Sequence, residues 1–388
     1  MNTPSAALPI GLALLILGLR PGRAADPEPP LPPDETPRPT AIRLDSPLDY
    51  QVVQRHSATS GRVRIAGRVP PGTMRLETRI QGDWEAAAFD PATGTFQCER
   101  VVPSGGWYAC QIRATGGDGH VATAEVSHVG VGEVFVVAGQ SNSANHGEEK
   151  LTPRTGRVAA FDGTRWQPAR DPQPGASGEG GSFLPPFGDL LAERFEVPVG
   201  LVACGIGATS VREWLPRGSR FPNPPTLVGR VRQLPGGEWE SNGEAYDTFV
   251  ARLAKLGLGG FRAVLWHQGE SDANQADPTR TLPGPLYRQY LEQVIRDSRR
   301  ELGWEVPWFV AQVSYHVPGD EASPEIRAAQ ASLWRDGLAL EGPDTDALKG
   351  DLRDSGGRGV HFSGPGQREH ARRWADQVIP WLETRLRP

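Results

Sequence analysis

Val134-Phe-Val-Val-Ala-Gly-Gln-Ser-Asn142 decides how this chain is read. It opens as a short, wholly apolar run, breaks at Ala138-Gly139, and then presents Gln140, Ser141 and Asn142 in succession. An apolar run of that length, bounded by a turn signal, fits a strand buried on both faces of a sheet. In an open α/β sheet, ligands bind beyond the carboxyl ends of the strands. A serine displayed there is a candidate nucleophile, although a serine after a strand also serves as a helix cap or turn former.

Downstream of Gly132 the rhythm is strand then helix. Apolar strands are expected at Val134–Ala138, Val199–Cys204, Ala263–Trp266 and Trp308–Val313. Between them, Phe249, Val250, Leu253 and Leu256 recur at helical spacing, as do Leu286, Tyr287, Tyr290, Leu291, Val294 and Ile295. Ser323-Pro324 reads as a cap followed by proline at the first helical position, and Ser363 as the cap of a final helix. Strands alternating with helices predict a parallel sheet covered on both faces. The polar, Gly/Pro-rich stretches 152–186 and 216–243 are longer than ordinary connections and are expected to be functional loops.

Upstream, 42–130 has a different texture. Short alternating runs such as Gly61-Arg-Val-Arg-Ile-Ala-Gly67 are broken by turn residues, which predicts a small antiparallel β-sandwich. Tyr108, two residues before Cys110, has the spacing of the tyrosine corner of immunoglobulin-like sandwiches. Asp26–Thr40 carries seven prolines and is expected to be an extended tether. The apolar run Ala6–Leu19, followed by Gly22-Arg-Ala24, is expected to be an export signal cleaved after Ala24, with a retained anchor as the alternative. The expected organisation is therefore a signal at 1–24, a linker at 25–41, a sandwich at 42–130 and an α/β domain at 131–388. The expected location is secreted or periplasmic.

The net charge of −5 excludes the basic footprint of a nucleic-acid-binding protein. No stretch after the signal is apolar enough for stable membrane insertion. Cys98 and Cys110 are placed as partners on adjacent strands would be, so export makes a bridge between them an open possibility. Cys204 reads as a small core residue. No Cys/His spacing suggests a structural metal, and no cofactor is implied.

Three more segments reach the same sheet mouth. Cys204-Gly-Ile-Gly-Ala-Thr-Ser210 is a glycine-rich turn whose N–H groups can approach a ligand. Trp266-His-Gln-Gly-Glu-Ser-Asp272 turns abruptly from apolar to polar, and Gly359-Val-His-Phe-Ser363 precedes the last helix. A serine requires a base, usually histidine, to attack at neutral pH, and acyl transfer needs donors for the oxyanion. His361 is the candidate base. The N–H groups of Ser141 and Gly207 and the Gln268 amide are the candidate donors.

Together, Gly139-Gln-Ser-Asn142, Gly205-Ile-Gly-Ala-Thr-Ser210, His267-Gln-Gly-Glu270 and Val360-His361 resemble the SGNH-hydrolase superfamily. More closely, they resemble its sialate O-acetylesterase-like branch of carbohydrate esterases, related to acetylxylan esterases. The resemblance implies a flavodoxin-like three-layer domain and a serine esterase acting on acetylated glycans or sialosides. By motif position it implies Ser141 as nucleophile, His361 as base, and Gly207 and Gln268 in the oxyanion hole. The family's aspartate three residues before the histidine is replaced here by Arg358. Asp354 is the favoured substitute, Asp351 another, and a dyad held by a backbone carbonyl a third possibility. Asn142, His267, Glu270 and Arg212 are assigned to substrate contact or loop support, with Arg212 either clamping a carboxylate or pairing with Glu213 at the surface. Trp214, Trp266 and Trp334 are candidates for sugar stacking or core packing, and His316 for lining the cleft. The rival readings are a carbohydrate-binding protein that lost turnover and a lipase or thioesterase. Oligomeric state is open.

Overall fold

The computed structural model describes residues 41–387; the expected export signal and nearly all of the Pro-rich segment lie outside them. Strand Val121–Gly139, 19 residues long, runs through the whole architecture. Its first part pairs antiparallel with Gly105–Gly116, which in turn pairs with Thr73–Ile80. Its last part pairs parallel on both sides, with Val199–Ala203 and with Ala263–His267. The expected boundary at 130/131 thus falls inside a continuous strand.

The joint is reinforced by charge. Glu133 is fully buried and accepts from Arg55 Nε and Arg262 Nε, each at 2.7 Å, and from Gln54 Nε2 at 2.9 Å. A buried carboxylate is tolerated only when paired and hydrogen-bonded in this way.

The N-terminal strands Arg43–Ser46, Ser60–Arg68 and Thr95–Pro103 form a separate antiparallel sheet. Val63, Ile65 and Val102 from it meet Leu76, Ile112 and Val129 from the larger sheet in one core. The Tyr108 hydroxyl donates to the Ser104 carbonyl, four residues upstream, at 3.4 Å. Cys98 and Cys110 lie in the two different sheets as free thiols rather than on neighbouring strands, and burial pushes the Cys110 thiol up to about 12.

In the α/β part, strands Val199–Ala203, Val121–Gly139, Ala263–His267, Trp308–Gln312 and Leu340–Asp344 are neighbours in that order, all parallel. Numbered along the chain this is 2-1-3-4-5, the order of flavodoxin-like doubly wound folds. Val158–Phe161 extends the sheet, and Trp166–Pro168 caps it antiparallel. Both lie in a stretch the sequence reads as loop, as does the small sheet of Arg220–Phe221, Val231–Gln233 and Trp239–Ser241.

The apolar run of the first strand divides by its period of two. Val134, Val136 and Ala138 pack with Phe249 of helix Glu244–Ala254, Leu291 of helix Gly284–Leu302 and Leu333 of helix Pro324–Arg335. Phe135 and Val137 pack with Leu191 of helix Leu184–Phe195 and Trp374 of helix Gly364–Arg385 on the other face. Ser323 and Ser363 cap their helices as expected, accepting from the Ile326 and Gly366 N–H groups. Among the described residues, no helix is long and apolar enough to cross a membrane.

Candidate active site

The strand order reverses between the strands that end at Gly139 and His267, and there the doubly wound fold leaves its crevice. Gly139 has φ 128°, and a Cβ on it would stand 2.0 Å from the His267 carbonyl oxygen, so only glycine lets the two strand ends approach. The chain then enters a single 3₁₀ turn over Ser141–Ser143, with Ser141 only 5 % exposed.

Three contacts bring this turn and its sequel against the C-terminal histidine. Asn142 Nδ2 donates to the Val360 carbonyl at 3.1 Å, the Glu148 N–H donates to the Phe362 carbonyl at 3.0 Å, and the His146 ring stacks on His361 at 5.3 Å. His146 also lies over the glycine-rich turn: a Cβ on Gly207 would be 2.7 Å from its Nε2. Ser141's loop, Gly207 and His361, more than 200 residues apart at the extremes, therefore share one locality.

Behind His361 the chain doubles back. Arg353 and Phe362 form an antiparallel bridge, and the Asp354 N–H donates to the His361 carbonyl at 2.9 Å. Ser355, Gly356 and Gly357, all at positive φ, make the reversal. The result sets Asp354 Oδ2 3.6 Å from His361 Nδ1. Asp354 stands seven residues upstream, not three, and the loop supplies the missing reach. Gly359 makes room for it: a Cβ there would fall 1.6 Å from Asp354 Oδ1. Arg353 braces the loop, donating to the Leu348, Thr345 and Val360 carbonyls beneath the Tyr315 and Phe362 rings. Burial holds the His361 imidazole below its ordinary pKa, while the Asp354 carboxylate pulls it back up. The imidazole is thus biased toward its neutral, proton-accepting form.

Of the three expected oxyanion donors, the Gly207 N–H and the Gln268 amide are already engaged. The Gly207 N–H donates to Ser177 Oγ at 2.6 Å. The Gln268 amide is fully buried and donates to Asp272 Oδ2 at 2.7 Å and to the Thr209 carbonyl at 3.1 Å. The Gln268 carbonyl is itself held by the Tyr287 hydroxyl at 2.6 Å.

The remaining motif residues tie loops together. Glu270 Oε1 accepts from Asn142 Nδ2 at 3.0 Å, and burial pushes this carboxyl up to about 7. His267 Nε2 meets Thr345 Oγ1 at 2.9 Å in a fully buried position, where burial lowers its pKa to about 3. His316 holds the Glu270 carbonyl at 2.5 Å and Asp320 at 2.7 Å.

Arg212 is neither a substrate clamp nor a surface pair. It is fully buried and bound to Ser210, Asp272 and the Asn223, Pro224 and Arg280 carbonyls. It thereby pins the glycine-rich turn, the insertion at 216–243 and the loop after His267 to one another. Glu213 instead accepts from the Ser210 N–H in a capping box. Trp214 and Trp266 are fully buried and pack edge to face, and Trp334 donates to the Val310 carbonyl.

The motifs include neither Ser177 nor His146. A Gly/Pro-rich loop marked the region of Ser177, but nothing in the composition separates that serine from its neighbours. His146 lay close to Ser141 in sequence, which says nothing of its stacking on His361.

A family model described as carbohydrate esterase, sialic acid-specific acetylesterase, matches residues 131–380. Among solved structures, a carbohydrate acetylesterase from Xanthomonas citri is 19 % identical, with a TM-score of 0.52, covering 86 % of this chain and 74 % of its own. A protein from Arabidopsis thaliana (19 % identical, TM-score 0.43) covers 64 % of this chain and 98 % of its own. NanS (17 % identical, TM-score 0.42) covers 65 % and 98 %. The first supports the fold; the other two superpose too loosely to add to it. No curated protein matches the chain by sequence. The matched span contains every motif that converges on the switch point, and on that ground the chain belongs to the carbohydrate esterase family of sialic acid-specific acetylesterases.

Proposed function

We propose that the protein is a secreted or periplasmic serine esterase that removes O-acetyl groups from carbohydrates, sialosides or acetylated polysaccharides, through an acyl-enzyme. Family membership supports carbohydrate ester hydrolysis. The observation that carries the finer reading is the packing of the Ser141 loop against Val360, His361 and Phe362, with Asp354 behind the imidazole. In this reading the Ser141 hydroxyl attacks the acetyl carbonyl and gives its proton to His361. Asp354 steadies the imidazolium that forms. The sugar oxygen leaves with that proton, and water then attacks the acyl-enzyme with His361 again as base. Residues 42–130 are read as an immunoglobulin-like accessory sandwich fixed to the esterase part.

A second reading, a carbohydrate-binding protein without turnover, is favoured by one observation: Gly207 and Gln268 are both committed to protein acceptors. One experiment separates the two. Acetate release from 4-nitrophenyl acetate and from acetylated sialic acid and xylan is compared for wild type and Ser141→Ala. The esterase reading expects loss of at least about 10³-fold in kcat; equal rates in both proteins, with saturable glycan binding, would establish the binding protein.

A further inference from the structure

Gly207 is the glycine-turn residue whose N–H the sequence assigns to the oxyanion, and at 2.6 Å that N–H is fully engaged by Ser177 Oγ. A hydroxyl oxygen accepting from an oxyanion-hole amide occupies the position that an acyl carbonyl oxygen must take. The hydroxyl proton has its own destination, since His146 Nε2 lies 3.2 Å from Ser177 Oγ. Burial keeps the His146 ring below its ordinary pKa, in the neutral form that has one nitrogen free to accept. We assign it the Nδ1-protonated tautomer, so that Ser177 donates to His146 and accepts from Gly207.

The backbone of Ser177 is clamped on both sides. Its carbonyl accepts from the Asn145 N–H at 2.9 Å, and its N–H donates to the Gly205 carbonyl at 3.0 Å. Asn145 follows Ser141 by four residues, and Gly205 precedes Gly207 by two. Ser177 is thus built into the seam between the nucleophile loop and the glycine turn. Only rotation about its Cα–Cβ bond remains to release the Gly207 N–H.

We propose that Ser177 is a placeholder for the substrate: its hydroxyl occupies the Gly207 N–H when no ester is bound, and the acyl oxygen must displace it. The proposal rests on the esterase reading. It accounts for the acceptor that the Gly207 amide keeps without substrate, and for why a second histidine stands beside His361. Ser177 does not touch the reacting atoms; it competes with the substrate oxygen for one donor.

The test compares Ser177→Ala and Ser177→Thr with wild type. Without the hydroxyl, the substrate no longer displaces a protein acceptor. For Ser177→Ala, kcat/KM for 4-nitrophenyl acetate is expected to rise, and the inhibition constant of phenylboronic acid to fall, each by roughly two- to tenfold. Ser177→Thr, which keeps the hydroxyl, is expected to stay near wild type. A tenfold or larger fall in kcat for Ser177→Ala at unchanged KM and melting temperature would make Ser177 a donor to the oxyanion and overturn the proposal; unchanged kinetics and inhibition would overturn it too. The Gly207 amide proton, followed by NMR in labelled protein, gives a readout free of turnover. It is expected to move upfield in Ser177→Ala, and no movement would refute the contact itself. If Ser141→Ala still hydrolyses the ester, the esterase reading fails, while the amide shift continues to report on Ser177 and Gly207.

Discussion

Replacing Asp354 by asparagine keeps the shape of the residue behind His361 and removes its charge. The magnitude follows from the separation. Two unit charges at the observed 3.6 Å attract by about 1 kcal/mol if screened as in water and by about 5 kcal/mol at an effective dielectric of 20. Both side chains are about a quarter exposed, so the true value lies between these limits. In the proposed mechanism that energy stabilises the imidazolium formed as Ser141 is deprotonated, so its loss is expected to lower kcat by roughly 10- to 10³-fold, with KM little changed. The pH profile gives an independent sign. Burial holds His361 below its ordinary pKa and Asp354 raises it. In the proposed mechanism the ring must be neutral to accept the proton, so activity is expected to fall as pH drops through the His361 pKa, below the ordinary imidazole value. Removing the carboxylate lowers that pKa further and moves the acid limb to lower pH. The assay is initial-rate hydrolysis of 4-nitrophenyl acetate across pH 4.5–8.5, conditions chosen to bracket about two units on either side of the ordinary imidazole pKa. A kcat within twofold of wild type, together with an unmoved acid limb, would refute Asp354 as the partner of His361 and leave a dyad.

Gly359→Ala is expected to reproduce the kinetic behaviour of Asp354→Asn without touching either partner, because its Cβ would fall 1.6 Å from Asp354 Oδ1 and drive the carboxylate away from His361; steady-state kinetics beside a melting curve check this. Arg212→Met is expected to lose stability rather than substrate affinity. It leaves Asp272 buried without its cation, a loss of about 3–5 kcal/mol that a denaturant titration reads directly.

The fold was legible because its signals are local. A run such as Val134-Phe-Val-Val-Ala138 is apolar at every position because both faces of its strand are covered, and proline after a capping serine marks a helix start wherever it falls. Two parallel strands of the main sheet escaped for equally local reasons. Leu340-Glu-Gly-Pro-Asp344 lies at the sheet's edge, where glycine and proline are tolerated, and Val158-Ala-Ala-Phe161 is four residues long within a Gly/Pro-rich stretch. The motifs likewise named Ser141, Gly207, Gln268 and His361 as members of one site. They placed Arg212 with substrate contact or loop support but could not choose between them; five hydrogen-bonding partners hold it in the interior, in loop support.

By itself the sequence determined the succession of strands and helices, the glycine that lets the first strand end beside the third, and which side chains have the chemistry to attack and to accept a proton. Only the tertiary structure decided which of these groups are free and which are engaged. Asp354 reaches His361 because three consecutive residues at positive φ turn the chain back on itself, and the Gly207 amide faces Ser177 because two loops far apart in sequence are clamped together. A hydrogen bond is fixed by distance and direction to a few tenths of an ångström, and residue order carries that information only after the whole chain has packed.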